Sequence, residues 1–180
     1  PFATQEAPKG EADGEGLLRA FALRKLMRPS RVQLTPEPHS GLGLSAYAQA
    51  TSPLRRYHDL VAHQQLRAHV GGGVPADHDT LAQRIAGVGE RVRGLRRAER
   101  LSNQHYKLVY LHRQGDWQGR GVVVERNGPK GRVLVPELAL ETSVTLPRDT
   151  EPGTEVALRL LGVDLPALEA RFRAEEGGGS

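Results

Sequence analysis

Cysteine is absent from the 180 residues, which excludes disulfides and thiolate metal sites and fits a reducing compartment such as the cytoplasm. Aromatic residues make up only 4% of the chain and hydrophobic ones 38%, the composition of a soluble protein on the polar side. No apolar run approaches the roughly 18–20 residues that a membrane-spanning helix needs. The start, Pro1-Phe2-Ala3-Thr4-Gln5-Glu6, lacks the basic head and apolar core of a signal peptide. It also lacks Met, and reads as the C-terminal piece of something longer.

Basic residues, most of them arginine, are plentiful. The formal net charge is +4 and the pI about 9.8, a mild bias toward a polyanionic partner. The length allows one ordinary domain or two small ones.

The most informative stretch runs from Thr51-Ser52-Pro53-Leu54-Arg55-Arg56-Tyr57-His58-Asp59-Leu60 to Leu66. Thr51 and Ser52 are good helix caps and Pro53 suits a first helical position, so a helix is predicted from here to Gly71-Gly72-Gly73. Arg55 and Arg56 then fall in the first turn, the wrong sign for the helix dipole. Two guanidiniums beside free helix amides form an anion site matched to phosphate. The plainer alternative is that both are solvated or paired to a carboxylate.

Elsewhere, residues 1–16 read as a loop and Leu17–Arg28 as a short amphipathic helix stopped by Pro29, with Arg24, Lys25 and Arg28 on its solvated side. His39 precedes Gly41-Leu42-Gly43, a turn that admits close backbone approach, and reads as a hydrogen-bonded core histidine. Tyr47 either stacks on a base or packs. Leu54, Tyr57, Val61 and Ala68 with Leu60 form the predicted apolar stripe of the Thr51 helix. Asp59 and His63, four apart, read as an internal structural pair and not as a metal site. Asp79 or Thr80 is expected to cap a further helix reaching about Arg113. Its glycines 87, 89 and 94 are places for another helix to approach, and its arginines are either solvated or an RNA-facing stripe.

From Gln118 the period changes. Residues 119–125, 132–136, 144–146 and 155–163 are β-rich, and 165–174 read as a short helix or a last strand, giving a small barrel of the OB class. Trp117 and Phe172 are its only aromatics and lie near its edges. Its grip on RNA would therefore rest on charge through Arg120, Arg126, Lys130 and Arg132. Residues 175–180 read as a frayed, linker-like tail.

His39-Ser40-Gly41-Leu42-Gly43-Leu44, Ala46-Tyr47, Thr51 to Leu60 and His63 together resemble the closing signature of the ribonuclease II/R (RNB) family. The resemblance covers residues 1–113. It implies an α+β fold: the helical C-terminal part of an RNB catalytic domain (1–113), an OB-fold barrel (114–174) and a tail (175–180). It implies part of a processive 3′-to-5′ exoribonuclease that hydrolyses single-stranded RNA to 5′-mononucleotides with Mg²⁺. On the matching positions Arg55 is the arginine that neutralises the scissile phosphate, and Arg56 grips a phosphate near the 3′ end. Thr51, Ser52 and Tyr47 line the RNA, with Glu99 a modulator of grip and Arg120 and Arg132 contacts from the barrel. His39, Tyr57, Asp59 and His63 belong to the motif as structural residues. The Mg²⁺ carboxylates are expected upstream, on the same polypeptide or a nicked partner, because no aspartates cluster in this chain and none is assigned to a metal. The alternative is a non-catalytic RNA-binding fragment.

Overall fold

Glycine and proline set most of the breaks in this chain. The first helix, α1 (Gly16–Leu26), stops short of Pro29, and α2 (Tyr57–Val70) ends at Gly71. The computed structural model describes residues 1–175, with Glu90 through its backbone alone. The expected tail at 176–180 lies outside the described residues, and Glu175 closes the last strand. Contacts divide the chain into two units, Pro1–Gly10 with Leu26–Arg96, and Glu11–Lys25 with the chain from Arg97 onward.

In the first unit, β1 (Phe2–Thr4) and β2 (Arg31–Gln33) pair antiparallel, Ala3 opposite Val32. A single 3₁₀ turn at Ser40–Leu42 follows, closed by Gly43 in the left-handed region. Gly41 has no room for a side chain: a Cβ there would lie 2.5 Å from the Gln5 Oε1. That oxygen accepts the Gly41 amide, while the Gln5 amide nitrogen donates to the Arg28 carbonyl. The Gly-Leu-Gly turn is thus clamped by one glutamine side chain.

α2 begins six residues later than the expected cap at Thr51. Its buried face is Asp59, Val61 and Ala62, whereas Leu54 is fully exposed outside the helix and Tyr57 and Leu60 are also exposed. The long helix α3 (His78–Gln114) is capped by Asp77, not by Asp79 or Thr80. The Asp77 carboxylate accepts the Thr80 amide at 2.8 Å, and bonds from the Thr80 backbone and hydroxyl hold its pKa below the usual range. Among the described residues no helix packs on the glycines of α3: a Cβ at Gly87 or Gly94 would meet nothing within 4 Å, and at Gly89 only an arginine end.

The second unit is a five-stranded antiparallel sheet in the order β5-β4-β3-β6-β7. Its strands are β3 (Gln118–Asn127), β4 (Lys130–Val135), β5 (Leu140–Thr145), β6 (Glu155–Asp164) and β7 (Glu169–Glu175). The edge strands β5 and β7 come together, so the sheet nearly closes into a barrel. Residues 165–174 therefore give a turn and a last strand, not a helix. Alternation sends Val133, Val135, Leu158, Leu160 and Phe172 inward, and the end of α3 adds Leu108 and Leu111 to the same core. Gly121 has no room for a side chain, since a Cβ there would strike Val133 at 2.4 Å.

Trp117 and Phe172 are buried, 7% and 6% exposed, and meet edge to face at 5.6 Å. They are core residues, so neither ring presents a face to a base. α1 belongs to this unit. Arg24 pairs with Glu141 and Lys25 with Glu125, and both glutamates also pair with Arg132.

Candidate nucleic-acid interface

The two arginines of the motif have different environments. Ser52 starts a tight turn whose carbonyl accepts the Arg55 and Arg56 amides. Arg56 is the residue before α2, extended at φ −124°, so neither guanidinium lies in the first helical turn. That turn carries Asp59 instead, the right sign for the helix dipole. The dipole conflict read from the sequence is therefore not present.

Asp59 is 1% exposed, and a carboxylate that deep needs donors around it. Its Oδ2 accepts the Ser52 amide at 2.8 Å and the Arg56 guanidinium at 2.8 and 3.1 Å. A third Arg56 bond reaches the Thr51 hydroxyl at 2.8 Å. One turn along α2, the His63 Nε2 meets the Ala50 carbonyl at 2.7 Å. Asp59 and His63 are not paired with each other; both hold residues 50–56 onto α2. Arg55, by contrast, is exposed and its side chain has no partner among the described residues. The arrangement is a rigid turn that presents one uncommitted guanidinium.

His39 differs from expectation too. Its Nδ1 is buried with no hydrogen-bond partner, and the ring is held by Tyr47, edge to face at 5.7 Å. The main chain explains its place: the His39 amide donates to the Leu44 carbonyl across the glycine turn. Tyr47 packs here half-buried, and its carbonyl accepts the Ala3 amide. Beside His39 is an open hollow of about 690 Å³, to which Gln5, Arg28, Arg31 and Gln33 also contribute. Arg55 and Arg56 are not part of it.

Of the four barrel cations expected to grip RNA, three are engaged. Arg120 pairs with Glu155 at 2.6 Å, Arg132 with Glu141 at 2.8 Å, and Arg126 donates to the Gly128 and Thr150 carbonyls. Lys130 and Glu99 are exposed and have no partner among the described residues. Among the described residues, no three of His, Asp and Glu stand close enough to hold a metal ion, and no helix is long and apolar enough to cross a membrane. The sequence reading missed Asp77 as cap, Ala50 as the partner of His63, and Gln5 as the clamp of the glycine turn. Only the first had a signal, an Asp three residues before a Thr at a helix start.

Two outcomes follow from this geometry. Asp59→Ala strands the Ser52 amide and the Arg56 charge, at a cost of about 2–3 kcal/mol, since Arg56 retains a route to water. Urea unfolding will show the loss, and hydrogen exchange will speed up at the Ser52 amide more than along α2. His58, whose Nε2 is buried without a partner, has its pKa lowered from 6.5, chiefly by burial. The positive charges of the chain's amino terminus and Arg96 add to this, and Asp59 opposes it. The unfolded state then binds the proton more readily. This stability contribution is complete above about pH 6.5 and lost as pH falls toward the lowered value. Unfolding midpoints compared at about pH 7.5 and about pH 5.5 will differ, and His58→Gln will narrow the difference.

Comparison with known proteins agrees with both units. The RNB domain model matches residues 6–72, and the RNase II-type exonuclease C-terminal S1 domain model matches residues 117–175. An uncharacterized ribonuclease of Synechocystis is 32% identical over 96% of this chain, which spans 28% of that protein. Exoribonuclease 2 of Erwinia tasmaniensis is 44% identical over 43% of the chain, spanning 12% of that protein. The structure of Mycoplasma genitalium RNase R in complex with ribose-methylated single-stranded RNA superposes with a TM-score of 0.70 at 18% identity, covering 88% of this chain and 29% of that one. The chain thus spans less than a third of the length of these proteins. Carrying the RNB and RNase II-type S1 matches in succession, with ribonucleases as its relatives, the chain belongs to the RNB (ribonuclease II/R) family.

Proposed function

We propose that the chain is the closing part of a 3′-to-5′ exoribonuclease that hydrolyses single-stranded RNA processively to 5′-mononucleotides. Residues 1–113 serve as the end of the catalytic domain and 114–174 as its RNA-binding barrel. The observation that carries this reading is Arg55: an exposed, unpartnered guanidinium on a turn fixed by Asp59 and His63. A cation held in place before the substrate arrives stabilises charge that grows on the scissile phosphate without reorganising. Arg56 faces Asp59 and is 28% exposed. It is suited to shaping the turn while offering its outer edge to a neighbouring phosphate, with Thr51 and Ser52 beside it and Tyr47 as a further RNA contact. Glu99, Arg120 and Arg132 act as RNA contacts or modulators at exposed positions.

Mg²⁺, which would supply the activated water, does not fit the residues present: the described acidic and histidine side chains form no ligand set. Its carboxylates belong to the remainder of the catalytic domain, and this chain alone binds RNA without cutting it. The expected compartment is the cytoplasm. The same lack of a ligand set favours, as a second reading, a non-catalytic RNA-binding protein in which Arg55 is a phosphate clamp.

In the full-length protein, Arg55→Ala is expected to lower the single-turnover rate on saturating RNA by roughly 10²–10³-fold, while RNA affinity changes little. Arg55→Lys restores little of the rate, because an ammonium lacks the planar fork that meets two phosphate oxygens. An unchanged rate in Arg55→Ala would make this residue structural or merely binding.

A further inference from the structure

The barrel's own aromatic rings are buried, yet its unit exposes two others. Tyr106 and Tyr110 stand one helical turn apart on α3 and are 69% and 45% exposed. Residues at this spacing share a helix face, and the same face carries Asn103 and Lys107. Together with Glu137 and Leu138 they line a groove of about 510 Å³. Leu138 is 9% exposed and supplies an apolar floor. Lys107 donates its ammonium to the Ala139 carbonyl, where a non-glycine residue sits at φ 44°. This bond ties the 136–139 turn to α3 and so fixes the groove wall.

The groove has no use within the chain. Core packing needs Leu108 and Leu111, on the opposite side of the same turns, and leaves both tyrosines in solvent. Exposed apolar rings in a chain so poor in aromatics call for an occupant. Charge identifies its class. From Arg97 to Gln114, α3 carries four Lys or Arg residues against one Glu, and Arg97, Arg100 and Arg113 are exposed with no partner among the described residues. Rings beside unpaired cations are the elements that hold single-stranded nucleic acid, the rings taking bases and the cations the backbone. Glu137 at the rim repels phosphate, so bases and not the backbone enter the groove.

We propose that Tyr106 and Tyr110 form a base-stacking platform for single-stranded RNA, with Arg113, three residues beyond Tyr110 and on the same helix face, meeting the phosphate of a flanking nucleotide. The platform rests on the RNA-binding reading above and adds a contact that neither the motif at Arg55 nor the barrel strands provide. Stacking is insensitive to base identity and nearly to salt, so it contributes grip without sequence preference.

The test uses the full-length protein and a labelled oligouridylate in fluorescence anisotropy. Replacing both tyrosines by Ala is expected to weaken binding about tenfold or more while the slope of affinity against salt stays as in wild type. Replacing both by Phe keeps most of the affinity, because the ring and not the hydroxyl stacks. RNA carrying 4-thiouridine is expected to crosslink, on irradiation, to the peptide that holds Tyr106 and Tyr110. Wild-type affinity in the double Ala variant, or a crosslink map without that peptide, would overturn the platform while leaving the RNA-binding reading intact. A melting temperature that falls in both the Ala and Phe variants with RNA affinity unchanged would instead assign the face to a protein contact, and would overturn it equally. Failure of the wild-type protein to bind the oligonucleotide at all would refute the RNA-binding reading itself.

Discussion

The buried Asp59 carboxylate is the interaction on which the candidate site depends. A charge 1% exposed persists only if donors converge on it, and those donors are the Ser52 amide and the Arg56 guanidinium. Bringing these donors to the Asp59 Oδ2 therefore fixes the path of the turn between them. His63 adds a second anchor at Ala50. Arg55 lies inside the fixed span and takes no part in holding it, so it is left for a ligand. The division of labour between adjacent arginines comes from one buried oxygen.

A similar economy governs the barrel. Its core recruits Leu108 and Leu111 from α3, Trp117 from just before β3 and Phe172 from β7, because a five-stranded barrel of this size has little apolar surface of its own to bury. Rings committed to the core are lost to recognition. The outer surface is equally committed, since Arg24, Lys25 and Arg132 share Glu125 and Glu141. Exposed pairs of this kind add little stability each, but they lower the positive potential that the composition promises. The free rings of this unit lie on α3 instead.

Much of this was legible in the residues. The strand runs after Gln118, the glycine turn after His39 and the stops at Gly71 and Pro29 each follow from backbone chemistry that acts over a few residues. The start of α2 was not legible, because Thr51 and Ser52 satisfy every local rule for a cap. What moves the start to Tyr57 is the reach of Asp59 back to the Ser52 amide, a bond across seven residues. Local propensity cannot register it. His39 shows the same limit: its sequence neighbours mark the turn, but its ring contact with Tyr47 depends on how two loops meet. Trp117 and Phe172 do lie near the barrel's edges, before β3 and on β7, but that their rings turn inward depends on closure, which the strand's own sequence does not encode.

The direction of degradation tests the central claim most directly. The full-length protein would be given Mg²⁺ and single-stranded RNA labelled at its 5′ end, alongside the same RNA labelled at its 3′ end. The account predicts that the 3′ label is released at once as a mononucleotide, while the 5′ label stays on intact or nearly finished RNA with few intermediates between. Internal fragments from both labels, release from the 5′ end, or RNA that is bound and never shortened would contradict it.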